Sequence, residues 1–303
     1  MLTVANYHYI RENFNTKYPS IFGVTPTSFN KQLLLLKNEG DFIKPINIIT
    51  NINDVLVSKD NYFLITFDDG LKEQFDYGLP ILEELNIPAV FFANSKNFDD
   101  KKVSTVHKIH LLRSIIEPND FLNSIENMEK INFPKSEKNK AHMIYRYDDI
   151  KSAELKYMLN FKMVFEKQEL VINKLFDTYF EESIELEKLY MNTENILTLA
   201  KRGYLGSHTH NHYPLGLLES VSIKFELAHA KLYFEKLTNS KIEMVAYPYG
   251  TEDTCTNEVA TISKDVGYKM GFTTKRGINT FTENPLLLNR FDCNDLPGGK
   301  NYK

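Results

Sequence analysis

The 303-residue chain is 42% hydrophobic and 25% charged, with a net charge of −4. That balance provides for a sizeable globular core and excludes a disordered polyelectrolyte. Acidic and basic residues are interspersed, so no nucleic-acid-binding face is expected, and the longest apolar runs, such as 33–36, fall far short of the ~20 residues of a transmembrane helix.

Met1 to Arg11 show no basic leader followed by an apolar segment. Cys255 and Cys293 have no metal-binding spacing, so two reduced thiols in a cytoplasmic protein are the expectation. No tandem repeat or low-complexity tract breaks the pattern. Residues 61–67 are β-branched and aromatic and read as a buried strand ending at Asp68-Asp69-Gly70. A helix is predicted over 72–85, with apolar residues at 75, 79, 82 and 85, stopping before Asn86-Ile87-Pro88. Residues 88–93 form a second apolar strand.

Residues 99–187 carry almost no strand signal and several helical periods, such as 106–116 and 153–179. They are expected to form a mostly helical insertion within a single domain spanning 1–303, since structureless loops of that length are rare. Thr193 is placed to cap a helix over 194–202, and a longer helix is predicted over 220–238. A third strand, 241–247, runs into Pro248-Tyr249-Gly250. Short apolar strands alternating with helices indicate an α/β fold with a parallel sheet.

Two clusters carry chemistry. Asp68 and Asp69 end a predicted strand, where α/β folds place their sites, and paired carboxylates there are costly unless something positive binds them. Three of the eight histidines, His208, His210 and His212, fall within five residues. On a helical turn His208 and His212 share a face; on a strand His208 and His210 do. Either way, one carboxylate and two imidazoles with open positions suit a hydrolytic centre for Zn²⁺ or another first-row divalent metal. The second carboxylate is then available as a general base.

Thr66-Phe67-Asp68-Asp69-Gly70 and Ser207-His208-Thr209-His210-Asn211-His212 resemble the first two motifs of the polysaccharide deacetylases, the NodB-homology family, and Val245-Ala246-Tyr247-Pro248-Tyr249-Gly250 is similar to the third. The resemblance covers 61–93 and 190–275. It implies a distorted (β/α)7-type barrel, with Asp68 as general base and Asp69, His208 and His212 as metal ligands. The Tyr249 backbone N–H would stabilise the oxyanion, and His210 would be a bystander or shape the loop. Tyr247 and Arg290 are candidate substrate-binding residues.

The pattern departs from the family at three points. Ala246 stands where the third motif usually has the arginine that orients the base, and Arg290 is the candidate replacement. The fourth motif, with its Trp, is not found, and no His follows His229 to serve as the C-terminal catalytic acid. One family branch, acting on biofilm poly-N-acetylglucosamine, carries its acid near the N-terminus; Asn6-Tyr7-His8-Tyr9-Ile10 looks similar, making His8 the candidate acid. His107 and His110, within the insertion, are assigned to structure or the substrate rim.

The expectation is therefore hydrolysis of an N-acetyl group from an amino sugar, in surface polysaccharide or glycoconjugate biosynthesis. The substrate would be nucleotide-linked, lipid-linked or an oligosaccharide. The alternatives are an inactive sugar-binding protein on the same fold, an N-deformylase, and a metal phosphoesterase or amidohydrolase using His208 and His210.

Overall fold

In a computed structural model describing residues 1–146 and 148–302, the chain divides into two compact units, one built from 1–13, 23–102 and 186–303, the other from 14–22 and 103–185. The first unit begins with β1 (Leu2–Tyr7), β2 (Tyr9–Ile10), β3 (Gly23–Val24), α1 (Pro26–Lys37), β4 (Asp41–Phe42), α2 (Pro45–Val57) and β5 (Tyr62–Phe67). It continues through α3 (Leu79–Leu85) and β6 (Ala89–Ala93). The second unit carries α4 (Thr105–Ile115), α5 (Pro118–Met128), α6 (Lys135–Ile144), α7 (Ile150–Tyr157) and α8 (Phe165–Tyr179), and α9 (Glu182–Leu189) leads out of it. The first unit resumes with α10 (Thr193–Lys201), β7 (Leu205–Ser207), α11 (Ser220–Thr238), β8 (Met244–Ala246), α12 (Asn257–Val266), β9 (Met270–Phe272) and β10 (Phe291–Asp292).

The strands pair in the order β10-β1-β5-β6-β7-β8-β9, all parallel, with β4 added beside the start of β5. Segment 288–292 links the two ends of that order: Leu288 bridges to Phe272 on β9, while Phe291 pairs with Ala5 on β1. The result is a distorted (β/α)7-type barrel. Alternation along the strands builds two apolar layers. Tyr7, Ile65, Phe67 and Phe91 face Phe29 and Leu33 of α1, Leu82 of α3 and Leu227 and Phe234 of α11. Val4, Leu64, Val90, Phe92, Met270 and Phe272 fill the opposite layer with Ile48 and Leu56 of α2. Burial on both faces explains why the strands read as continuous apolar runs rather than alternating ones.

Local signals account for the helix starts. Thr25 caps α1 by accepting from the Ser28 N–H, with Pro26 in the first turn. For α10 the cap is Asn192, one residue before the expected Thr193, in a reciprocal capping box with Asn195. The segment expected as one helix over 72–85 is helical throughout, with a wide π turn, Gln74–Gly78, inside it that leads into α3. There the buried Gln74 amide donates to the carbonyls of Asp68 (2.6 Å) and His8 (2.9 Å).

In the second unit no strand occurs among the described residues. Its α8 buries Val171, Ile172, Leu175 and Phe176, and the buried Lys108 pairs with Glu182 at 2.6 Å over the Phe176 ring. His107 is buried within this unit, its ring 6.0 Å from that of His110. Both cysteines are free and buried. No helix among the described residues is long and apolar enough to cross a membrane.

Candidate metal centre

The loop after β5 turns sharply because Asp69 and Gly70 both adopt left-handed backbone, at φ 79° and 64°. Glycine is required at 70 twice over, since a Cβ there would also stand 2.9 Å from the Cβ of Ala93. The turn holds Asp68 and Asp69 at the C-terminal end of the strand, 2% and 4% exposed.

The histidine loop leaves β7 at Ser207. His208 and His212 do not lie on a helical turn, and no strand runs through His210. Left-handed residues at Thr209 (φ 64°) and His212 (φ 63°) reverse the chain, and that reversal brings two rings together that a helix would have aligned by spacing. The ring centroids of His208 and His212 lie 5.0 Å apart, and their Nε2 atoms stand 3.4 and 3.3 Å from the same oxygen, Asp69 Oδ1. His210 turns the other way, with Nδ1 2.8 Å from Ser95 Oγ and Nε2 3.5 Å from Asp100.

The donor set suits a divalent cation. Asp69, His208 and His212 each offer one ligand atom, all within 4.8 Å of one another. Ligands about 2.1 Å from a shared first-row ion stand roughly 3.4 Å apart when tetrahedral, close to the spacing seen. His208 Nδ1 lies 2.7 Å from the carbonyl of Ala246 and must donate to it, so a neutral ring directs its Nε2 lone pair toward Asp69. Burial opposes charge on His208, but Asp68 and then Asp69 outweigh it and move its pKa up. One carboxylate with two neutral imidazoles carries a single negative charge, which a divalent ion more than balances.

Asp68 is held differently. Arg290 grips both its oxygens with parallel bonds of 2.7 Å and is itself fixed by the Thr273 carbonyl (2.7 Å) and Asn6 Oδ1 (3.1 Å). Burial works to raise the Asp68 pKa, but Arg290, followed by His208, outweighs burial and holds it below the ordinary carboxylate value. His8, half-exposed between β1 and β2, places Nε2 3.9 Å from Asp68 Oδ2. The ring of Tyr249, a left-handed residue at φ 63°, lies 5.4 Å from that of His212.

Asp68, Asp69, His208, His212, His8 and Tyr249 thus come together. Two placements differ from the sequence expectation. Tyr247 is fully buried, its hydroxyl bonded to Leu286 O and Ser263 Oγ, so the core rather than the site holds it. Arg290 is 1% exposed and committed to Asp68, where the replacement for the third-motif arginine is expected rather than a substrate contact. Sequence reasoning missed Asn6 and Gln74. An asparagine inside an apolar strand was the available signal for Asn6; nothing local marked Gln74.

The model of the family described as polysaccharide deacetylase matches residues 57–125 and 172–271, just over half of the chain. No curated protein matches it by sequence. Among solved structures it is similar to the Streptococcus pyogenes deacetylase PplD, described in complex with acetate, at 18% identity over 96% of this chain and 91% of that one, with a TM-score of 0.52. IcaB from Ammonifex degensii is 17% identical over 96% and 90% of the two chains, with a TM-score of 0.57. The deacetylase domain of BpsB from Bordetella bronchiseptica is 16% identical over 96% and 94%, with a TM-score of 0.55. At these identities the structural likeness speaks for the fold, and the family match speaks for descent: the chain belongs to the polysaccharide deacetylase family.

Proposed function

We propose that this protein is a metal-dependent N-deacetylase that hydrolyses the acetamide of an amino sugar, within a glycan or glycoconjugate destined for surface polysaccharide. The observation that carries the reading is the meeting of Asp69, His208 and His212 on one oxygen-centred cluster beside a second carboxylate held by its own arginine.

In this reading Asp69, His208 and His212 hold the cation, Zn²⁺ being the best match to a carboxylate and two imidazoles. A bound divalent ion supplies Lewis acidity that sharpens water as a nucleophile and polarises the amide carbonyl. Asp68 takes the proton from the attacking water. Arg290 keeps that carboxylate ionised and fixes its orientation, since a planar guanidinium engages both oxygens at once. The Tyr249 backbone N–H would stabilise the developing oxyanion. His8, close to Asp68 and open to solvent, delivers a proton to the departing amine nitrogen.

Two cavities lie beside the loops that carry the site. A cavity of 480 Å³ lined by Lys72, Asn97, Tyr190 and Asn192 and by the apolar Phe98 and Leu186 adjoins the Asp69 loop, to which it is joined by the Met191 N–H donating to Gly70 O at 3.0 Å. A second, of 570 Å³ and rich in threonine and asparagine, begins at Gly250. Amides and hydroxyls at such positions suit sugar hydroxyls.

The test is release of acetate from N-acetylated hexosamine oligosaccharides and from nucleotide- and lipid-linked N-acetylhexosamines, with Zn²⁺ supplied and after chelation. Metal-dependent release that Asp68→Asn abolishes is the expected result. The reading fails if zinc-loaded protein releases acetate from none of these, or releases it equally after complete chelation.

A further inference from the structure

The five residues that carry the two histidine ligands have no helical or strand ladder of their own, and two of them, Thr209 and His212, sit in left-handed backbone without being glycine. Such a loop holds its shape only if other segments bind its polar groups. On one side lies the segment after β6: His208 N–H donates to Ala93 O (2.8 Å), Ser95 N–H to Thr209 O (3.2 Å) and Lys96 N–H to His210 O (3.3 Å), and the Asn94 amide bonds His208 O. On the other side is one side chain, Glu226 of α11. Its Oε2 accepts from the backbone N–H groups of His210 (3.1 Å) and Asn211 (2.7 Å), and its Oε1 accepts from the Asn211 side-chain amide (2.6 Å).

Glu226 is out of place by composition. It is 2% exposed on a helix face whose other buried residues include Ile223, Leu227, Ala230 and Phe234. Burying a carboxylate costs several kcal/mol unless its oxygens are well bonded, so an acid here is retained for its three bonds. Those bonds fall on His210 and Asn211, two of the three residues between His208 and His212. We propose, on the basis of the metal reading above, that Glu226 is a positioning residue for the metal centre. By pinning residues 210–211, it fixes the separation and direction of the two imidazoles before the cation arrives. It touches neither ligand ring and takes no part in the chemistry.

The geometry distinguishes this role from simple stabilisation of the fold. Glu226→Gln keeps an oxygen for the two backbone N–H groups, and its new NH₂ is met by rotating the Asn211 amide to present oxygen. Glu226→Ala removes all three acceptors. The measurement is Zn²⁺ affinity of the metal-stripped full chain, by competition with a chromophoric chelator, alongside the Tm of the metal-free form. Glu226→Gln is expected to bind within a few-fold of wild type, and Glu226→Ala about 10- to 100-fold more weakly, the usual effect of losing an outer partner of a metal site. If Glu226→Ala does not fold, Glu226→Asp carries the test, since it keeps the charge but withdraws it by one methylene; the same weakening is expected. An alanine or aspartate variant that lowers Tm yet binds Zn²⁺ as tightly as wild type overturns the positioning role. Wild-type protein that takes up no Zn²⁺ overturns the metal reading itself, and the proposal with it.

Discussion

Arg290 and Asp68 stand 222 residues apart in sequence and meet through two parallel bonds of 2.7 Å, with side chains only 1% and 3% exposed. A pair this deeply buried is weak evidence for net stability, because both ions were taken out of water, yet removing one partner strands the other. Arg290→Ala is therefore expected to cost about 3–5 kcal/mol, measured by urea denaturation of the metal-free protein. Arg290→Lys restores the charge but not the fork. It should recover much of that stability while leaving kcat well below wild type at unchanged metal content. Full activity in the lysine variant would show that orientation of Asp68 is irrelevant.

The same pair sets a pH dependence. The folded-state pKa of Asp68 lies below its ordinary value of 3.8, so the carboxylate contributes stability that is fully present above that value and lost as pH falls through the folded pKa. Metal-free wild type should lose stability steeply below about pH 4. Asp68→Asn, less stable near neutral pH because Arg290 is left uncompensated, should approach wild type in acid and so show a shallower slope. Parallel slopes in the two proteins, followed by Tm from pH 2.5 upward, would remove Asp68 as the titrating group.

His8 offers a third check. Its Nε2 lies 3.9 Å from Asp68 and its side chain is 39% exposed, so replacing it disturbs little packing. His8→Ala should keep wild-type Zn²⁺ content and Tm while turnover falls by about 10²- to 10⁴-fold, the range general acid–base groups provide. Substrates with a better leaving amine should narrow that gap. Undiminished turnover would exclude His8 as the acid.

Much of the site was legible because its chemistry is concentrated in two short stretches, Asp68-Asp69 and His208 to His212, each next to a turn former. The geometry that joins them was not. Helical spacing suggested that His208 and His212 share a face; the chain achieves the same convergence through left-handed backbone at Thr209 and His212, which no periodicity encodes. Strands β7, β9 and β10 have two or three residues each, too short for an alternation to register, whereas β8, equally short, lies within the strand expected over 241–247. β1 escaped notice because Asn6 interrupts its apolar run, although that asparagine is there to hold Arg290. Tyr247 misled for the opposite reason: a tyrosine in a functional motif invites a role at the surface, but adjacent residues on a strand point to opposite faces, and its hydroxyl is consumed in the core.

Segment 288–292, which bridges β9 and β1, also separates two abilities in time. Every ligand of the proposed cation precedes residue 213, whereas the guanidinium that holds Asp68 lies 78 residues further along the chain. Because synthesis runs from the N-terminus, the three proposed ligands emerge first, then Glu226 and Ala246, which hold their loop, and last the arginine that grips Asp68. A chain cut short before residue 288 would keep all three proposed ligands and still leave Asp68 without its guanidinium.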